Sequence, residues 1–161
     1  MKKRSEDFYR RVIDLAKIAE NFGEVPVGAL IVNKDEIIGE GYNSSLSEND
    51  PSAHAEIVAI RDAGKRMGNY RLTGSVLYIS LEPCIMCYSA AVHARVKKIC
   101  YCADDPKSGI FSTGVFKKVN DIFNHKIEIE SGKMAEESSE LLKEFFKKRR
   151  KNLKIIDNSS G

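Results

Sequence analysis

Val76-Leu77-Tyr78-Ile79-Ser80, then Pro83-Cys84-Ile85-Met86-Cys87 running on to His93, then Val96-Lys97-Lys98-Ile99-Cys100-Tyr101-Cys102: residues 76–102 decide the fold. The two outer runs are apolar and bounded by turn residues, which predicts strands. Proline is tolerated at a helix start, so Pro83 opens a helix over about 84–93. Outward toward the C-terminus, Asp104 to Gly109 reads as a loop. Residues 110–123 admit at most a short helix. Lys126 to Glu130 alternates as a strand, and Met134 to about Arg150 has helical spacing. Toward the N-terminus, Ser52 is placed to cap a helix through Ile57, Val58, Ile60 and Ala63 to about Arg66. A polar loop (43–52) precedes it. Before that, strands 27–32 and 36–42 flank an Asn33-Lys34-Asp35 turn, which predicts a hairpin. A first helix, capped by Ser5 and ended by Gly23, carries Phe8, Val12, Leu15, Ala19 and Phe22 at helical spacing.

Strands alternating with helices imply crossovers and a partly parallel sheet covered on its faces. With the opening hairpin this makes a five-stranded mixed sheet in a three-layer α/β/α sandwich. Ligands in such sheets bind where strands end and helices begin. Both His54 and Cys84 fall at predicted helix starts.

The chain has 161 residues and is 42% hydrophobic, enough for one globular domain over 1–161 with its own core. The basic opening residues are followed by Ser5-Glu6-Asp7 rather than an apolar run, and no stretch approaches roughly 18 apolar residues. The expectation is a soluble cytoplasmic protein with no membrane partner. The four cysteines suit reduced thiols better than a disulfide framework. Net charge is +3. Between 143 and 154, seven cations face one acid, a net +6 that leaves −3 elsewhere. The basic end (143–161) therefore suits a polyanion, although cations also complement a helix C-terminus.

The chemistry lies in His54-Ala55-Glu56 and Pro83-Cys84-Ile85-Met86-Cys87. Cysteines three apart at a helix start turn both sulfurs toward one point. Two thiolates and an imidazole offset the charge of Zn2+ and leave one position open for water, as a catalytic site requires. Bound zinc lowers the pKa of water to about 7. Glu56 is the candidate proton carrier. Positions i and i+2 diverge on a helix, so His54 and Glu56 converge only if His54 lies at the cap or in the first turn. Cys100 and Cys102 alternate in a strand and read as packing. Phe145 and Phe146 read as core, with one ring able to stand beside Arg149 against a nucleic acid. This pairing of strings is the known signature of zinc deaminases, tRNA deaminases among them.

From Phe8 to Arg150 the sequence resembles the bacterial tRNA-specific adenosine deaminases of the cytidine deaminase-like fold. The strings are Glu24-Val25-Pro26-Val27-Gly28-Ala29, Glu40-Gly41-Tyr42-Asn43, Asp50 to Glu56, Asn69-Tyr70-Arg71-Leu72, Leu81 to Cys84, Asp105 to Gly109, Asn124 to Glu128 and Phe145 to Arg150. The resemblance implies one zinc per subunit on His54, Cys84 and Cys87. It implies conversion of adenosine to inosine at the wobble position of a tRNA anticodon stem-loop, zinc-bound hydroxide attacking adenine C6 with Glu56 as proton shuttle. It also implies a homodimer. Asn43 matches the asparagine that hydrogen-bonds the flipped base. Asp105, Lys107, Ser108 and Asn124 match the anticodon-loop groove, Phe146, Arg149 and Arg150 match the terminal helix that meets RNA, and Pro83 belongs to the substrate-binding set. Two stretches depart from the family's small residues: Ile110-Phe111-Ser112-Thr113, and Tyr88-Ser89. The alternatives are a deaminase of a free base or nucleoside (guanine, cytosine or cytidine), which has no use for a basic terminal helix, and a zinc-stabilised RNA-binding subunit, which has no use for Glu56.

Overall fold

Strict alternation along the central strands divides the molecule into two cores. The structure, a computed structural model, describes residues 2–160; Met1 and Gly161 of the predicted 1–161 domain lie outside them. Strands β1 (Gly28–Asn33), β2 (Glu36–Tyr42), β3 (Val76–Leu81), β4 (Lys98–Ala103) and β5 (Glu128–Ser131) form one sheet in the order β2-β1-β3-β4-β5. β1 runs antiparallel to β2 and β3, whereas β3, β4 and β5 are parallel. Ala29, Ile31, Leu77, Ile79, Ile99 and Tyr101 face one core, under helices α2 (Ala55–Met67) and α3 (Ile85–His93). Leu30, Val32, Tyr78, Cys100 and Cys102 face the other, under α1 (Lys2–Asn21) and α5 (Ala135–Ser159). The predicted mixed five-stranded three-layer sandwich is the observed one. Each fully buried Leu or Ile contributes about 1.5–3 kcal/mol. Cys100 and Cys102 are packing residues, as expected.

Glycines set how closely α2 approaches the sheet. A Cβ on Gly41 would lie 2.4 Å from the Ala55 carbonyl, and one on Gly39 2.5 Å from that of Ala59. The small Ala55-Ala59-Ala63 face therefore rests directly on β2, which fixes where α2 begins.

Several boundaries differ from the sequence reading. Ser52 does not cap α2: its amide and hydroxyl both donate to Asp50 Oδ1, at 2.8 and 2.7 Å, so the chain stays in a turn until His54 caps the helix. Ser5 lies within α1, which already begins at Lys2, and Phe22 lies past its end at Asn21 and is exposed, off the apolar face that Phe8, Val12, Leu15 and Ala19 bury. β4 starts at Lys98 because the Val96 amide bonds back to Ala91 of α3 and the Lys97 amide to Ser75, just ahead of β3. β5 starts at Glu128. The last helix does not stop near Arg150 but runs to Ser159, since neither glycine nor proline interrupts residues 151–159. Within 110–123 lie a short helix α4 (Val115–Val119) and a 3₁₀ turn (Asn120–Ile122).

Candidate active site

Two helix starts meet at one end of the sheet. His54 caps α2 in extended conformation (φ −68°, ψ 154°), and Cys84 caps α3 likewise (φ −75°, ψ 170°). Cys87 follows on the first turn of α3. His54 Nδ1 stands 3.6 Å from Cys84 Sγ and 3.5 Å from Cys87 Sγ, and the three donor atoms lie within 4.8 Å of one another. Zinc–sulfur and zinc–nitrogen bonds of about 2.3 and 2.0 Å at a tetrahedral angle require a sulfur–nitrogen separation of about 3.5 Å. The donor set therefore fits zinc in chemistry and spacing, and three protein donors leave a fourth position open. Because His54 is the cap, Glu56 falls in the first turn of α2 on the same side, with its carboxyl in hydrogen-bonding reach of the Cys87 sulfur. That meets the geometric condition set by the sequence.

The electrostatics suit metal and proton transfer. A hydrogen bond from Cys87, then one from His54, lowers the Cys84 thiol to about 4. The bond to Cys84, reinforced by burial, raises Cys87. His54 is raised, first by its bond to Cys84. Position at a helix start also favours thiolate. Glu56 is only 4% exposed, and burial pushes its carboxyl up to about 7, the range in which one group can both take and give a proton.

A cleft of about 740 Å³ opens above this floor. Its walls include His54, Glu56 and Cys84, and also the predicted Asn43, Asp105, Lys107, Ser108, Phe146 and Arg150. Asp105 shapes its own loop, accepting from the Lys107 and Ser108 amides and from the Ser108 hydroxyl at 3.1, 3.3 and 2.7 Å. Phe146, 40% exposed, is the ring of its pair that faces the cleft. Pro83 is buried beneath, its carbonyl accepting from Ile110 N at 2.9 Å. Arg149 is exposed on α5 beside Arg150, and Asn124 is exposed in the turn before β5; neither borders the cleft. A groove of about 860 Å³ between α1 and α5 is larger, but none of the predicted site residues lines it, so chemistry rather than size selects the site.

The two departures from small residues pack together. Phe111 stacks on Tyr101 (5.9 Å, 7°) and meets Tyr88 edge-on (5.9 Å), while Ile110 is 1% exposed. Their bulk fills the core beneath the loop, not the cleft.

Sequence reasoning assigned no site role to Val25, Val27, Glu82, Ser139 or Leu142, all of which line the cleft, and it placed Lys143, which also lines it, only in the basic end. A signal existed for two of them: Ser139 and Leu142, with Lys143, continue the helical spacing of Phe146 and Arg150 down one face of α5. Glu24 was also passed over; buried, it accepts from Leu46 N at 2.6 Å and so fastens the 43–52 loop. Glu82 stood in a quoted string, but its partners are distant in sequence.

Residues 2–103 match the family model of the cytidine and deoxycytidylate deaminase zinc-binding region. The tRNA-specific adenosine deaminase of Haemophilus influenzae is 45% identical over 151 residues, covering 93% of this chain and 87% of that one. The tRNA-specific adenosine deaminase of Bacillus subtilis is 42% identical, covering 92% of each. A solved structure from studies of A-to-I editing by tRNA:A34 deaminases superposes with a TM-score of 0.82 at 37% identity, over 85% of this chain and 99% of that one. The guanine deaminase of Bacillus subtilis is 41% identical over 68% of each chain, with a TM-score of 0.60. With relatives aligned over nearly its whole length and a zinc-binding deaminase region over residues 2–103, the chain belongs to the tRNA-specific adenosine deaminase family.

Proposed function

We propose that the protein converts adenosine to inosine at the wobble position of a tRNA anticodon, acting as a cytoplasmic homodimer with one zinc ion per subunit. His54 Nδ1, Cys84 Sγ and Cys87 Sγ would hold the ion, whose chemistry when bound is to bring the pKa of water near neutrality. Water adds at adenine C6 and ammonia leaves, which calls for proton delivery to ring nitrogen N1 and then to the departing amine. Glu56 is the group for both transfers, because burial holds its carboxyl near 7 beside the donor set.

The observation that carries the reading is the joining of this floor, in one cleft, to a rim that bears three cations and an aromatic ring alongside Asp104 and Asp105. Lys107, Lys143 and Arg150 stand round it with Phe146 between them. The cations suit phosphates and the ring suits a stacked base. A base in a single-stranded loop is cheap to extrude into such a cleft. Asn43, which lines the cleft, is the residue we assign to hydrogen-bond that base. Within the basic end 143–161, Lys143 and Arg150 border the cleft, Arg149 is exposed on α5 without lining it, and residues 151–160 continue past it along α5 and its cap. No helix among the described residues is long and apolar enough to cross a membrane.

The likeness to a guanine deaminase favours a second reading, a free-base substrate. Incubation with a bulk tRNA pool, followed by inosine mapping, separates the two. The first reading expects inosine at wobble positions; release of ammonia from guanine with no inosine in RNA would replace it with the second.

A further inference from the structure

We infer that Glu82 is a positioning residue for the substrate: it holds the 104–112 rim loop in register with the start of α3. The inference rests on the tRNA reading above. Glu82 is 2% exposed and follows the last residue of β3, two positions before the Cys84 cap of α3. Its carboxylate accepts from the Asp105 amide at 3.2 Å, the Phe111 amide at 2.9 Å, the Ser112 amide at 3.0 Å and the Ser112 hydroxyl. Four donors from one loop on one buried carboxylate form a clamp that ties both ends of the segment bearing Lys107 and Ser108. Gly109 lies directly against it: a Cβ there would sit 1.9 Å from Glu82 Oε2. The backbone can close around the carboxylate only because that position is glycine.

The arrangement is specific to a carboxylate. An amide of the same shape turns an NH2 group toward backbone N–H donors and loses two of its acceptor contacts. Glu82 therefore acts through the loop and not on the reacting atoms. Its loss should weaken RNA capture more than it slows turnover of bound RNA.

The test is Glu82→Gln in the full-length, zinc-loaded protein, with an anticodon stem-loop RNA as probe. KM and Kd are expected to rise at least about tenfold, kcat to change less than about threefold, and zinc to stay at one per chain. Amide hydrogen exchange at Asp105, Phe111 and Ser112 should accelerate. Unchanged KM and Kd in a protein whose parent binds the RNA would overturn the inference, as would a loss confined to kcat or a loss of zinc. A parent that does not bind the RNA would instead sink the tRNA reading, and the exchange rates alone would then decide whether Glu82 clamps the loop. Ser112→Ala removes one donor and leaves the fold intact; the same changes at about threefold are expected, and their absence counts against the clamp if Glu82→Gln fails to fold.

Discussion

The floor of the cleft and its rim are built by opposite means. On the floor, helix starts, glycine contacts and burial fix four side chains that belong to two short sequence strings. On the rim, loops and an exposed helix bring together residues that are far apart in sequence: Asn43, Lys107, Phe146 and Arg150. The carboxylates of the two regions make the same contrast. Glu56 is buried near sulfur and histidine and is pushed up to about 7, ready to carry a proton. Glu82 is equally buried, but four loop donors satisfy it as a fixed anchor. The two buried acids of one cleft thus differ in their surroundings: burial raises the Glu56 carboxyl, whereas four loop donors hold Glu82 in place.

If floor and rim are separable, their variants should fail differently. The largest effect is expected from Cys87→Ala. Zinc content should fall from one per subunit to almost none, deamination should vanish, and the melting temperature should drop by about 5 °C or more, because the ion contributes to folding. Elemental analysis and calorimetry read both. Next comes Glu56→Ala, which should keep zinc and RNA affinity while single-turnover deamination slows by about 10²–10⁴-fold. Normal turnover would remove Glu56 from its role.

The paired change Arg149→Ala with Arg150→Ala tests the rim. RNA affinity should weaken by about tenfold, and the slope of log Kd against log salt should become shallower by about 2. Turnover of bound RNA should stay as it was; a comparable fall in both would mean that floor and rim are one unit. The smallest effect belongs to a site outside both. Glu130 accepts from Lys98 Nζ at 2.6 Å and from the Tyr9 hydroxyl at 3.1 Å, and the Lys98 bond lowers its pKa. A lowered carboxyl stabilises the fold above its unfolded value and ceases to do so as pH falls through its folded one. Glu130→Gln should therefore cost about 0.5 kcal/mol at pH 7, with a gap that closes in acid and with zinc unaffected. Urea denaturation at two pH values measures it.

The same contrast explains what the sequence disclosed. His54, Glu56, Cys84 and Cys87 were legible because each pair is local and the chemistry constrains its spacing. The strands were legible because Leu30, Val32 and Tyr78 alternate with Ala29, Ile31 and Leu77. The cap of α2 was misplaced because Ser52 and Asp50 satisfy each other, a competition that spacing does not reveal. The clamp at Glu82 stayed hidden because its donors lie 23 to 30 residues away. Nor did composition distinguish bulk at Phe111 that enters the core from bulk that enters the cleft; that needed its partner Tyr88 in view.

X-ray absorption at the zinc edge of the purified protein reads the floor most directly. Two sulfurs at about 2.3 Å, one imidazole nitrogen at about 2.0 Å and one further light atom are expected, in the parent and in Glu56→Ala alike. A fourth protein ligand of sulfur or imidazole, or a protein that takes up no zinc at all, would contradict the account.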